Sequence, residues 1–405
     1  GAGLISYNPV EEANWSIANG MWPWPRTELY QDGPSQSYNL SVRGGTDNIR
    51  YYLSGNYDDD LGTVWYNYDK TFRLRANIGV VFNENFSLDM STDYIDGRTR
   101  FGSPAKGDGG VWEDMMWGNG YCVPRINQKN ACERLPGYQE HRPTDVSRLD
   151  VRREYNRFTG SGTLNFVLGD WFSSRAIIGV DKGWDQNSNL WPLETQLVPV
   201  YEETAIGTLT LEKPTTTNTS VDVSATARFQ LPFGLDKIGS ATSVGTQYYV
   251  KRLSSFENIG QGFPSPLSTT INQTPPSLVD INFRFVENKS LGVFLQETLN
   301  WEDRIFVTAA IRADDNSAFG SNFDLEYYPK LSGTWVVSEE SFWNPGLINS
   351  LRLRGAWGKA GRQPDTFAGT NQYGVVAGPG GTAILDPSSP GNPDVGPEVS
   401  TELEL

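Results

Sequence analysis

Strict two-residue alternation, repeated in paired runs, is the feature that most restricts how this chain folds. Tyr38, Leu40 and Val42 alternate with Asn39, Ser41 and Arg43, and Gly44-Gly45-Thr46-Asp47-Asn48 then reads as a turn. The return run sets Ile49, Tyr51, Leu53 and Tyr57 against Arg50, Tyr52, Ser54 and Asn56. Side chains point to alternate faces of a strand, so each run carries one apolar and one polar face. A second hairpin repeats the pattern. Phe72, Leu74, Ala76, Ile78 and Val80 oppose Arg73, Arg75 and Asn77, and after Asn83-Glu84-Asn85 the residues Phe86, Leu88 and Met90 oppose Ser87, Asp89 and Asp93. Similar runs follow Gly169-Asp170, surround Val221–Phe229, follow Glu302-Asp303 and include Leu351–Trp357. About thirteen strands are expected, many near the ~10 residues of a tilted membrane strand.

The connections sort by parity. Short turns near residues 46, 84, 169 and 302, with intermediate links at 231–239 and 338–350, alternate with long links at 58–69, 96–153, 182–217, 251–288, 313–324 and 359–397. An up-and-down membrane barrel has short periplasmic turns and long extracellular loops. A sandwich or propeller has no reason to sort loops this way, and no repeat of propeller length is present.

Composition agrees. Only 38% of the 405 residues are apolar, yet 12% are aromatic, which suits lipid-facing strands with aromatic rims better than a Leu-rich soluble core. No apolar run is long enough for a membrane helix, which leaves the barrel open because its strands alternate. A net charge of −15 leaves no basic face to replace phosphate counterions, which argues against nucleic acid. The Gly-Ala-Gly start and Thr-Glu-Leu-Glu-Leu end read as those of a fragment.

Few residues announce chemistry. Cys122 and Cys132 lie ten residues apart in a polar stretch and read as a local disulfide; the alternative is two free thiols. With the single histidine His141, they supply too few soft ligands for a metal. Asp58-Asp59-Asp60 could serve a loop calcium ion but lack regular spacing, and solvated charge is the simpler reading. No Ser-His-Asp set or acid–base pair is evident, so no enzyme and no cofactor is expected. The polar faces place Arg43, Arg50, Arg73, Arg75, Asp89 and Asp93 in a lumen, with Arg175, Asp222, Arg228, Arg352 and Arg354 further along. Charge on the lipid side would cost several kcal/mol, about 2–4 for Arg or Lys at the midplane, so this pattern fixes which face is which.

Several segments resemble the SusC/RagA group of TonB-dependent outer-membrane transporters. They are Leu29–Gly33 with Ser37–Gly45 and Arg50–Gly55, Asp303–Gly320, Tyr328-Pro329, Trp335 with Ser338–Phe342, and Leu351–Gly358. The resemblance implies a 22-stranded barrel, of which residues 1–405 would be one incomplete part. Residues 1–37 would be an extracellular loop leading in, with plug and closing strands absent. It also implies the bacterial outer membrane and uptake of oligosaccharides or peptides. Its partners would be a SusD-like surface lipoprotein lid and the TonB–ExbB–ExbD complex, reached through the missing N-terminal region. Trp112, Trp117, Trp184 and Trp191 are the candidate sugar-stacking or lid-contacting loop aromatics; packing of the loops is the alternative. Two competing functions are a passive porin-like or structural barrel and a secreted all-β binding protein.

Overall fold

The computed structural model describes residues 31–101, 123–125, 128–134, 149–193, 206–232, 237–321, 325–344, 346 and 348–405. Its strands are β1 (Ser35–Gly45), β2 (Ile49–Leu61), β3 (Tyr68–Val81), β4 (Phe86–Phe101), β5 (Val123–Arg125), β6 (Gln128–Arg134), β7 (Asp150–Leu168), β8 (Phe172–Trp191) and β9 (Thr208–Gln230). There follow β10 (Ile238–Gln261), β11 (Val279–Trp301), β12 (Ile305–Asn316), β13 (Glu326–Val336), β14 (Arg352–Arg362), β15 (Gln372–Ala377), β16 (Ala383–Ser389) and β17 (Glu398–Glu404). Thirteen of them form one antiparallel sheet in chain order, β1-β2-β3-β4-β7-β8-β9-β10-β11-β12-β13-β14-β17, with β5–β6 and β15–β16 as separate hairpins in the long connections. Among the described residues β1 and β17 do not pair, so the sheet is open.

The turns at one end are tight. Thr46 and its side chain close the first one, accepting from Asn48 and Ile49 N–H. Asn83 Oδ1 does the same for Asn85 and Phe86 at 2.9 Å, an Asx turn that frees the chain to reverse within three residues. At the fifth, Glu302 and Asp303 take φ of 47° and 57°, with the Asn300 amide accepting from Asp303 N–H.

Register joins the alternating runs into two continuous faces. Ile178 lies opposite Gly162 and Val221, Val221 opposite Tyr248, and Tyr248 opposite Leu291, all on the apolar face. Leu40 is 74% exposed and Ile178 62% exposed, as wall residues with a non-aqueous neighbour would be. On β11 this face is apolar from Trp301 to Leu291 except at Glu297, and changes character at Lys289. Ten residues at about 3.3 Å, tilted by about 40°, cover about 25 Å, the height of a barrel's apolar band. Trp171, Phe172, Phe86, Phe166, Trp301 and Trp335 gather at its tight-turn edge as an aromatic rim.

The strands overshoot this band. β9 and β10 run 23 and 24 residues, about twice what the band needs, so the wall extends well beyond it at the long-loop end. The long links are correspondingly shorter than sequence reading suggests: 62–67, 192–207 and 262–278 replace 58–69, 182–217 and 251–288. Polar runs such as Lys213–Ser220 hide this, being rich in β-branched threonine but without an apolar face.

Candidate functional site: the polar inner wall

Opposite the apolar band lies a continuous polar surface. Every one of the eleven charged residues expected there, from Arg43 to Arg354, has the register of that face. Their charges are shared out along the wall. Arg73 Nε lies 3.7 Å from Asp93, Arg175 donates to Asn165 at 3.0 Å, and Asn165 donates to Asp89 at 3.4 Å. Gln247 bridges the next strands, donating to Asp222 at 2.6 Å and accepting from Arg312 at 3.2 Å, while Arg312 Nε donates to Asp314 at 2.9 Å.

The densest part joins β7, β8 and β9. Arg157 grips Asp181 with two parallel 2.7 Å bonds, and Asp181 also accepts from Thr159 at 3.0 Å and Asn218 at 3.4 Å. Four residues further up, Arg153 Nη2 holds Asp185 at 2.7 Å and its guanidinium lies 4.9 Å from the Tyr155 ring centre. These groups line a hollow of about 390 Å³. A second hollow of about 340 Å³ follows below, between Arg75, Asp93 and Arg157. Tyr155 is placed by an absence of bulk: it pairs with Gly97, where a Cβ would clash with its ring, and its hydroxyl meets Thr71 Oγ1 at 2.9 Å. Such exposed ion pairs contribute little stability, about 0–1 kcal/mol each, so the wall's charges set what the surface can bind rather than how firmly it stands. A carboxylate and a guanidinium fixed a few ångströms apart offer complementary contacts to a zwitterionic or hydroxyl-rich solute.

Arg153 and Asp185 escape sequence reading because 96–153 and 182–217 look like loops, and Tyr155, Arg157 and Asp181 because they sit at the margins of those loops. The signal was present: Arg153, Tyr155 and Arg157 keep the period of two into Thr159 and Ser161.

The aromatic candidates separate. Trp112, Trp117 and Cys122 lie outside the described residues, as does the Cys132 side chain on β6, so the disulfide expectation falls there too. Trp184 and Trp191 are strand residues of β8, not loop residues, which corrects the reading of them as loop aromatics. Trp184 has the register of the apolar face, 6.5 Å from the Tyr94 ring and 5.8 Å from Lys182 Nζ; Trp191 has the register of the inner face. Strand alternation also splits the aspartate triplet. Asp59 faces outward and pairs with Lys70 at 3.1 Å, while Asp58 and Asp60 face inward, and among the described residues no three metal-ligating groups converge.

The comparisons fit this architecture. A family described as "TonB dependent receptor-like, beta-barrel" matches residues 11–405. TonB-dependent receptor P26 of Formosa agariphila is 21% identical over 92% of this chain and 38% of its own length; receptor P3 of the same organism is 20% identical over 88% and 36%. Among solved structures, the RagAB peptide transporter superposes with a TM-score of 0.76 at 18% identity, covering 92% of this chain and 42% of that one. The RagAB importer in its open-open state gives 0.75 at 16% identity, over 99% and 46%. The chain therefore spans less than half the length of these relatives. An open wall of thirteen sequential strands, one face apolar and the other a ladder of charge pairs, belongs to the TonB-dependent receptor-like β-barrel family of the outer membrane.

Proposed function

We propose that this chain forms part of the wall of an active-uptake receptor, importing peptides or oligosaccharides in a TonB-dependent way beneath a surface lipoprotein. The supporting observation is the inner ladder of paired charges from Arg73–Asp93 through Arg157–Asp181 to Arg312–Asp314. A polar wall of balanced sign can carry hydrated, hydroxyl-rich or zwitterionic cargo without holding it tightly. RagAB is described as a peptide importer, and that supports a peptide as the first cargo to try. In membrane barrels the tight turns lie on the periplasmic side, which supports placing the long connections that carry β5–β6 and β15–β16 on the extracellular side, where a lid would dock. The test is accumulation of fluorescent peptides and oligosaccharides in cells with and without the full-length gene, each with and without a proton uncoupler. Gene-dependent, uncoupler-sensitive accumulation is expected. Accumulation that ignores the uncoupler would make the barrel a passive porin.

A further inference from the structure

A cavity of about 1240 Å³ opens on the outside of the wall, not in the lumen. All its strand residues have the register of the lipid-facing side: Arg152 and Glu154 on β7, Gln186 and Ser188 on β8, and Asn258 on β10. Leu211 and Ile281 add an aliphatic floor from β9 and β11. Counted from the tight turns, Leu190 is eighteen residues above Phe172 and Ile281 twenty residues below Trp301 in sequence. At about 2.5 Å of height per tilted residue the cavity sits about 20 Å above the apolar band, clear of acyl chains.

The segment 262–278 folds down over this outer face as a built roof. Gly262 N–H donates to Gly207 O at 3.0 Å and Phe263 N–H to Ile206 O at 2.7 Å, with the Phe263 ring seated on Gly207. Within it Thr270 and Gln273 close a 3-10 turn, and Thr274 Oγ1 donates to Ile271 O at 2.6 Å. Thr269 and Asn272 of the roof line the cavity.

Its polar groups are unspent. The side chains of Gln186, Ser188, Asn258, Asn272 and Thr269 make no hydrogen bond among the described residues, whereas Arg152 is held by Asp150 at 2.7 Å. Amides and hydroxyls both donate and accept, which matches alcohol groups better than phosphates or fixed charges. Just below the floor, the Phe256 and Phe283 rings lie 4.6 Å apart between centres at a 37° tilt, both exposed on the same side of the wall. Aliphatic and aromatic surfaces suit the C–H face of a sugar ring, and the volume exceeds the ~300–1,000 Å³ usual for one small ligand.

From these features we infer that this outer cavity binds an uncharged oligosaccharide chain beside the barrel, separate from the cargo path. At that height, the sugar chain of an outer-leaflet glycolipid and a free oligosaccharide are the two sources of such a ligand. The experiment uses the full-length receptor in detergent and two probes: the cells' own outer-leaflet glycolipid, and the polysaccharide released from it by mild acid. Hydrogen exchange is read with each probe. Protection of 186–190, 209–211, 258 and 269–276 by both probes is expected and identifies the glycolipid's sugar. Protection by the released polysaccharide alone supports the site with a soluble glycan as its source. Asn258→Ala with Asn272→Ala should weaken binding about tenfold, given about 0.5–1.5 kcal/mol per hydrogen bond. Leu211→Trp should crowd the aliphatic floor and weaken binding, while uptake stays unchanged in both variants. Protection by the intact glycolipid alone, protection confined to inner-face positions, or undiminished binding in the double alanine variant would overturn the inference.

Discussion

Glu297 on β11 lies directly opposite Thr242 on β10 and accepts a 2.5 Å hydrogen bond from its Oγ1, on the face that carries Leu295 and Leu299. Ser240, 4% exposed, donates to the other carboxylate oxygen. A carboxylate is thus held by two hydroxyls inside the lipid-facing band, about 10 Å above Trp301 by strand rise. Glu297→Gln removes the charge, keeps a carbonyl acceptor for one hydroxyl and offers an amide N–H that the other hydroxyl can turn to accept, so it should stabilise the receptor by about 1 kcal/mol, acids costing less than the ~2–4 of Arg or Lys at midplane. Glu297→Ala should instead destabilise it by about 1–3 kcal/mol, because Ser240 is left buried and unpaired. Urea unfolding in detergent micelles distinguishes the two signs.

Neighbouring positions on β11 test the assignment of faces. Leu295 belongs to the outer face and Gln296 to the inner one. Leu295→Arg should cost about 2–4 kcal/mol and Gln296→Arg close to nothing. Equal losses in the same unfolding measurement would mean that the two faces are not lipid and lumen.

The Arg157–Asp181 pair should show a coupling energy of only about 1 kcal/mol or less in a double-mutant cycle, since Arg157 is 57% exposed. Its weight should fall on transport. Arg157→Ala and Asp181→Ala are each expected to change cargo accumulation more than stability, read by uptake and unfolding on the same preparations.

Gly97→Val should displace Tyr155 and cost about 1–3 kcal/mol through overpacking. Combining it with Tyr155→Ala should recover part of the loss. A double variant as unstable as the sum of both singles would separate the two residues energetically.

Above the band, Lys289 and Arg252 hydrogen-bond Glu287 and hold its carboxyl below the usual glutamate range. A lowered folded value means the stabilisation is complete above the ordinary glutamate range and fades as pH falls through the lowered one. The carboxyl carbon of Glu287, followed by NMR across that interval, should titrate below free glutamate; Lys289→Met should move it back up.

Strands and tight turns were legible because alternation and Asx or Gly turns are local. Tyr38–Val42 or Phe72–Val80 needs no partner to declare its faces. The upper strands were not legible, because outside the bilayer both faces meet water and Asn187, Glu212 and Ser255 satisfy each other across strands without any apolar period. For the same reason Trp184 and Trp191 read as loop aromatics. Their opposite faces follow from odd and even spacing alone, once β8 is known to continue through Trp191. The outer cavity could not be read at all, since it depends on 262–278 folding back across four strands.

The chain-order sheet has a kinetic consequence. Each strand needs only the one before it as a template, so contact order stays low and assembly can proceed like a zipper. The longest exception is the step from β4 to β7, with β14 to β17 next. The β4–β7 connecting segment is roughly sixteen times longer than the Gly169–Trp171 turn, four doublings, and so adds about 2.4 kcal/mol of closure entropy. Folding of the wall should therefore pause there, with β1–β4 waiting as a preformed platform for β7.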